Sequence, residues 1–358
     1  MRKIGQLAGW LGCLPLVGVL LVLPGNGAVQ RLVGGGHPGV PFYLLAVVLA
    51  LPVGVATMVA AFLLDWLIAG WRRSSLAALS RASASVRLDI LSYAVSILPR
   101  QWLGYALSIG LLYVVDLGVL QPRNVSLMHL LPAWGLQVAC LVLFQSFISY
   151  WMHRLEHAVP ALWALHQFHH SADHMSILTT DRQTSLTRAV EQIVMLFFLA
   201  LFTDPTAHEP GVGSPLFMLV VAYSAYRIFM GINHYLCHSN LTTDYGWFGR
   251  WLIVSPRMHR LHHAAEPRFH DKNFTFDLVI WDRLFGTYAN CDVSALASVP
   301  IGLDNNPFNS PGITGLARDY FVMPYVVLWR AVRAGPSAWL PKPLAGSARP
   351  APQSRFAS

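Results

Sequence analysis

The feature that most constrains this chain is a series of apolar stretches that need a solvent other than water. They run near 8–25, 42–70, 102–120 and 127–150, followed by a closer pair near 192–203 and 214–232. A helix needs about 20 apolar residues to cross a bilayer, and in hydrocarbon only a helix or a closed barrel satisfies its own backbone. Composition agrees: 54% of the 358 residues are hydrophobic and only 12% charged, against roughly a quarter charged in soluble domains. The expectation is an integral membrane protein of the bacterial inner membrane or endoplasmic reticulum. "IVMLFFLALF", in the first run of the closer pair, is short for a full span, so that pair is expected to form a hairpin that only partly crosses.

Charge sets the orientation. The net charge is +8, but a long basic run of the kind that holds nucleic acid is missing, so no nucleic-acid partner is expected. Arginines gather in "WRRSSLAALSRASASVR" (71–87), which reads as a loop facing cytoplasmic lipid headgroups. The N-terminal "MRKIGQLAGWLGCLPLVGVLLVLPGNGA" has the basic and apolar regions of a signal peptide but no clean A-x-A site. With further spans following, it is expected to be retained as a first span. With Met1–Lys3 and the arginine loop both inside, residues 151–191 and 233–288 return to the cytoplasmic side. Three segments follow: N-terminal transmembrane helices and basic loop (1–125), a catalytic domain (126–290), and an amphipathic segment with a Pro/Ala/Ser-rich disordered tail (291–358). No internal repeat is visible. Cys13, Cys140, Cys237 and Cys291 are scattered without a C-x-x-C, which argues against a disulfide framework or thiolate metal site.

Ten of the fifteen histidines fall into four boxes on that side: "HRLEH" (His153, His157), "HQFHH" (His166, His169, His170), "HYLCH" (His234, His238) and "HRLHH" (His259, His262, His263). On a helix, positions i and i+3 or i+4 share a face about 5–6 Å apart, so each box converges two or three imidazoles on one point. Neutral imidazole suits iron or zinc, and more than eight exceed the needs of one ion, so two metal ions are implied. "AVPALWAL" separates the first two boxes, and its proline marks a turn that folds the second helix back on the first. A lone histidine at a membrane surface is ordinarily interfacial, which accounts for His37, His129 and His208; His174 and His270 stand between the two readings. Neither packing nor solubility explains four repeats of closely spaced histidines on one side of a membrane. The expected fold is thus all-α, a polytopic transmembrane helical bundle of about four to six spans with a cytoplasmic histidine-rich helical cap.

"HRLEH", "HQFHHS", "HSN" at 238–240, "SPRMHRLHH" and "HDKNFTFDLVIWDRLFGTY" (270–288) resemble the fatty acid hydroxylase/sterol desaturase superfamily of membrane di-iron enzymes. The resemblance runs from about 140 to 290. It implies that the boxed histidines hold two iron ions and that O₂ is activated to attack a C–H bond of a lipid. The chain departs from the pattern in two places. Where many members read Arg-x-His-Pro it has Arg182-Gln183-Thr184-Ser185, and where a glycine commonly follows "DKNF" it has Thr275.

Chemistry supports the same assignment. Breaking an aliphatic C–H bond needs a redox-active metal, which no side chain and no zinc ion replaces. Neither a Rossmann G-x-G-x-x-G nor a haem or iron–sulfur cysteine pattern is present, so electrons come from a partner: a ferredoxin, a cytochrome b5-like protein or a flavin reductase. Ligating histidines commonly pass their second N–H to a carboxylate or carbonyl. Glu156, Asp173, Asp181, Asp244, Asp271 and Asp282 are candidates, with Asp271 and Asn273 marked as catalytic candidates by their motif. "LFMLVVAYSAYRIFMGI" and "WFGRWLIV" can line a lipid tunnel or simply pack. Rival classes fit less well: a metal transporter places polar pairs inside its spans, and a b-type cytochrome needs histidines in facing spans. Hydroxylation is favoured over desaturation, which the same ligands can serve. Fatty acyl chains, sterols or other polycyclic terpenoids, carotenoids and ether lipids all remain open as substrates.

Overall fold

The computed structural model describes residues 39–95, 131, 133–202, 215–292, 296 and 299–342. Among these the chain is all-helical, with two isolated antiparallel bridges, Ile253 with Leu278 and Ala264 with Ile301. The expected spans at 8–25 and 102–120 lie outside the described residues, as do His37, His129, His208 and the tail from 343.

The helices are α1 (Gly39–Ala69), α2 (Ser75–Ser80), α3 (84–95), α4 (Trp134–Ala158), α5 (Pro160–His170), α6 (Ser185–Phe202) and α7 (Pro215–Cys237). They continue with α8 (Trp247–Trp251), α9 (Pro256–His262), α10 (Ile280–Leu284), α11 (Gly312–Phe321) and α12 (Met323–Arg333). Among the described residues α4 is the one helix long and apolar enough to cross a membrane, and Val53–Ala69 of α1 is a shorter apolar helix. Of the four to six expected spans, the described residues thus contain one clear candidate, and two of the expected ones lie outside them.

Local chemistry explains the turns that matter. Val159 is extended ahead of Pro160, which opens α5 at its first turn, where its missing N–H costs nothing. α5 folds back there and packs against α4. Ser255 caps α9 by accepting from the Met258 N–H, with Pro256 in the first turn. Thr184, where a histidine is common in the resembling family, caps α6: its Oγ1 accepts the Thr187 N–H at 3.1 Å. Thr275 donates its hydroxyl to the Leu278 carbonyl at 2.8 Å, in a backbone outside the left-handed region.

Small apolar clusters hold the elements together. Ala61, Ile177, Ile232, Tyr235 and Leu236 join α1, the 3-10 turn Ile177–Asp181 and α7. Leu88, Phe168, Phe308, Tyr320 and Met323 join α3, α5, α11 and α12. A buried polar seam runs beside them. Asp89 lies 3.3 Å from the fully buried Arg182 guanidinium and accepts from Thr179 at 2.8 Å and Ser176 at 3.2 Å. The segment after 299 closes over the second and fourth boxes: Gly302 donates to the His263 carbonyl at 3.1 Å, and Asn306 to the Ser171 carbonyl at 2.7 Å. Gly302 has φ +104°, and a Cβ there would sit 2.9 Å from the Ala172 carbonyl oxygen, so a side chain is excluded twice over.

Candidate metal centre

Each box sits where the sequence spacing puts it. His153 and His157 occupy the last turns of α4; His166, His169 and His170 end α5; His234 and His238 straddle the end of α7; His259, His262 and His263 lie on and just past α9. The second and fourth boxes are buried together with His153 and His238.

The structure brings nine of the ten into two groups. One ring nitrogen from each of His153, His157, His166, His170 and His262 lies within 4.8 Å of the others, and the same holds for His169, His238, His259 and His263. The groups are neighbours, because His170 stacks on His263 with ring centroids 4.5 Å apart. His234 belongs to neither. One turn before His238, its ring faces the cavity described below, and its carbonyl accepts the His238 Nδ1–H at 2.9 Å. His174 pairs with Asp173 on the exposed side, and His270 reaches the Ala265 carbonyl at 3.0 Å; both lie outside the groups.

Hydrogen bonding fixes how several rings present themselves. A carbonyl only accepts, so a ring nitrogen beside it carries the proton, and a neutral imidazole then bears a lone pair on its other nitrogen. His153 Nδ1 lies 2.7 Å from the Phe274 carbonyl, His262 Nδ1 2.8 Å from that of Lys272, and His238 Nδ1 2.9 Å from that of His234. In all three, Nε2 therefore points its lone pair into a group. Carboxylates serve two more rings: Glu156 Oε2 is 3.1 Å from His166 Nδ1, and Asp271 Oδ1 is 3.5 Å from His157 Nδ1. Of the other acids, Asp181 and Asp244 face Arg188 and Arg257 at 3.7 and 3.2 Å. Asp282 acts at one remove: it accepts the Phe274 and Thr275 N–H groups at 2.8 and 3.0 Å and the Thr287 hydroxyl at 2.7 Å, fixing the loop whose carbonyl holds His153. Burial pushes its carboxyl up to about 6.

Asn273 takes a left-handed backbone, φ 55°. Its amide donates to the Met258 and Ala289 carbonyls at 3.0 and 2.9 Å and accepts the Ala289 N–H at 2.7 Å. The side chain thus ties the loop to α9.

The arrangement fits metal ions. His153 Nε2 and His166 Nε2 are 3.1 Å apart, and His153 carries its proton on the far nitrogen, toward the Phe274 carbonyl. His238 Nε2 is 3.1 Å from His169 Nε2 and 2.8 Å from His259 Nε2. Two nitrogens at such distances are held either by an N–H of one ring or by a cation that both lone pairs face. Buried nitrogens without any partner, His157 Nε2 and His262 Nε2, stand in the same group. Burial, reinforced by neighbouring imidazoles, holds His169, His170, His259 and His263 well below the ordinary histidine range, with His238 lowered to about 4 and His262 to about 3 by burial above all. Burial thus favours the neutral, ligating form of these six rings.

Sequence reading missed several neighbours. Phe276 stacks on His153 at 4.4 Å, its plane tilted by 11°. A cavity of about 490 Å³ between α4, α6 and α7 reaches His153, Glu156, His234 and Phe276. Its wall also carries Gln145 and Arg227, two polar breaks in apolar runs that were visible in sequence as the kind of intramembrane polar residue that marks a site.

Residues 138–287 match the sequence model of the fatty acid hydroxylase family. Among similar proteins, an alkylglycerol monooxygenase of Danio rerio is 31% identical over 157 residues, 44% of this chain and 31% of that protein. Its counterpart in Homo sapiens is 29% identical over 143 residues, covering 40% and 28%. An ornithine lipid hydroxylase of Rhizobium tropici is 32% identical over 154 residues, covering 43% and 42%. The matched segment thus spans less than half the length of each of these relatives. No solved structure matches the chain. The matched segment contains all four boxes and the loop that orients them.

Proposed function

We propose that the nine grouped histidines hold two iron ions and that the protein is a membrane-embedded, O₂-dependent hydroxylase of a lipid. The observation that carries this reading is the pair of adjacent buried groups, five and four imidazoles, backed by a cavity. Two irons bound there would supply the redox chemistry of O₂ activation that no side chain supplies. The protein's own residues do the rest. Phe274, Lys272 and His234 carbonyls, with Glu156 and Asp271, orient the ligating rings and raise their basicity. Asp271 and Asn273 are positioning residues in this account: the first through His157, the second through the loop it anchors. Phe276 and the methionines Met152, Met195 and Met230 keep the cavity beside His153 apolar.

Hydroxylation consumes one O₂, two electrons and two protons, placing one oxygen atom in the lipid and one in water. The electrons come from a ferredoxin, cytochrome b5-like protein or flavin reductase docking on the basic cytoplasmic face. The substrate enters from the bilayer. The relatives named above, by their names lipid hydroxylases and monooxygenases, favour oxygen insertion over desaturation.

Mass spectrometry of lipids from cells with and without the protein, grown under ¹⁸O₂, tests this. One labelled oxygen in a new lipid supports the reading; loss of two hydrogens without label shows desaturation, and label confined to a water-soluble metabolite contradicts the lipid assignment. Reporters fused after residues 180 and 265 are expected on the same membrane face as one in the 71–87 loop. Opposite faces would refute the topology.

A further inference from the structure

The cavity has a second polar pole. Besides His153 and His234 it is lined by Gln145, Tyr223, Arg227 and Asp277, the last following Phe276 in the chain. At the helical rise of about 1.5 Å per residue, Arg227 stands about 10 Å before His234 along α7, and Gln145 about 12 Å before His153 along α4. Arg227 is the only Asp, Glu, Lys or Arg in α7, and α4 has none before Arg154. An ionisable residue in such a helix points to function before packing.

Within the cluster Tyr223 donates its hydroxyl to Gln145 Oε1, joining α7 to α4. Gln145 and Asp277 are buried, and Arg227 is exposed. Arg227 and Asp277 act on one another electrostatically, yet among the described residues Arg227 makes no ion pair within 4.0 Å. Their charges cancel, so the cluster as a whole does not select an ion. What it offers is hydrogen bonding of both kinds: donors on Arg227 and the Gln145 amide, acceptors on Asp277 and the Tyr223 oxygen. A hydroxyl group donates and accepts, and so satisfies both. Asp277 also interacts with the Tyr226 hydroxyl; a phosphate would meet Arg227 but face Asp277, and a bare hydrocarbon would leave the Arg227 donors and the Gln145 amide without a partner.

We propose that Gln145, Tyr223, Arg227 and Asp277 form a head-group subsite for an uncharged, hydroxyl-bearing lipid, with the carbon to be oxidised about 10 Å away beside His153 and His234. The proposal rests on the oxygenase reading and names its substrate class. The 490 Å³ cavity is large enough for a head and one chain.

The test uses the full, iron-loaded protein in nanodiscs and three probes sharing one hydrocarbon chain: a monoacylglycerol, its phosphate ester and the plain alkane. Calorimetric binding without O₂ is expected to favour the monoacylglycerol by on the order of tenfold. Arg227→Gln and Asp277→Asn should each weaken that binding by a similar factor, and raise KM with kcat nearly unchanged when turnover is measured. Asp277→Asn should also shift preference toward the phosphate ester. Should either variant fail to fold, Arg227→Lys and Tyr223→Phe read the same binding with less disturbance. A wild-type protein that binds the alkane or phosphate ester as tightly, or folded variants that bind the monoacylglycerol unchanged, would overturn the subsite. Because binding is read without O₂, selective binding with no oxidised product counts against the oxygenase reading alone.

Discussion

His153 donates its Nδ1–H to the carbonyl of Phe274, 2.7 Å away across 121 residues of sequence. One bond thereby fixes the ring's tautomer and aims its Nε2 lone pair at His166. Phe274 is held in turn by Asp282, whose carboxylate accepts the Phe274 and Thr275 N–H groups. The loop is therefore as much a part of the metal centre as the boxes.

Removing Asp282 should show this. Asp282→Ala leaves the buried Phe274 and Thr275 N–H groups unsatisfied and is expected to cost about 3 kcal/mol of stability. It should also lower metal affinity by roughly 10- to 100-fold, since the ring orientation is lost with the loop. Thermal unfolding and competition with a chelator measure the two effects. Unchanged metal affinity in a destabilised variant would confine Asp282 to folding.

The two groups should separate by mutation. His166→Ala or His170→Ala is expected to release metal from the group of five, and His259→Ala or His263→Ala from the group of four, each abolishing turnover. His234→Ala should retain full metal content, because its ring stands outside both groups while its carbonyl, which the substitution keeps, holds His238 Nδ1. Metal analysis of each purified variant checks the contrast.

Acid should destabilise the metal-stripped protein in a defined window. The unfolded chain's histidines take up protons below about 6.5, whereas His238 and His262 stay neutral in the fold down to about 4 and 3. Below 6.5 the unfolded histidines bind more protons, and although Asp282, raised to about 6 in the fold, opposes them, the many lowered histidines outweigh it, so stability falls as pH drops from there toward 4. Unfolding midpoints of chelator-treated protein across that range test the sign. A stability maximum near pH 5 would contradict it.

The buried pair Arg182–Asp89 should matter to the fold and not to the metal. Both are fully buried, 3.3 Å apart, and Asp89→Ala leaves an uncompensated guanidinium at a cost of about 3–5 kcal/mol. Replacing both with apolar residues of similar volume should restore most of the loss. Denaturant unfolding of the single and double variants gives the comparison.

The boxes were legible in sequence because helical spacing converts directly into a shared face, and His153 with His157 needed only the i+4 rule. Partners across distant segments were not: a carbonyl has no sequence signature, so neither Phe274 nor Lys272 was visible as the support of His153 or His262. His234 shows the limit of the spacing rule, which puts it on the face of His238 without fixing which way its ring turns. Asp282 and Asn273 stood out only by motif, and the structure gives each a backbone-clamping geometry. Gln145 and Arg227 were readable as polar breaks, but their convergence with Asp277 depends on how α4, α7 and the loop before α10 pack.

The central claim is that nine histidines make two metal sites, and metal stoichiometry measures it most directly. Protein purified from iron-replete cells is expected to carry close to two irons per chain, falling to about one in His259→Ala. One iron or none in folded wild-type protein, or two irons retained after all four of His169, His238, His259 and His263 are replaced, would contradict it.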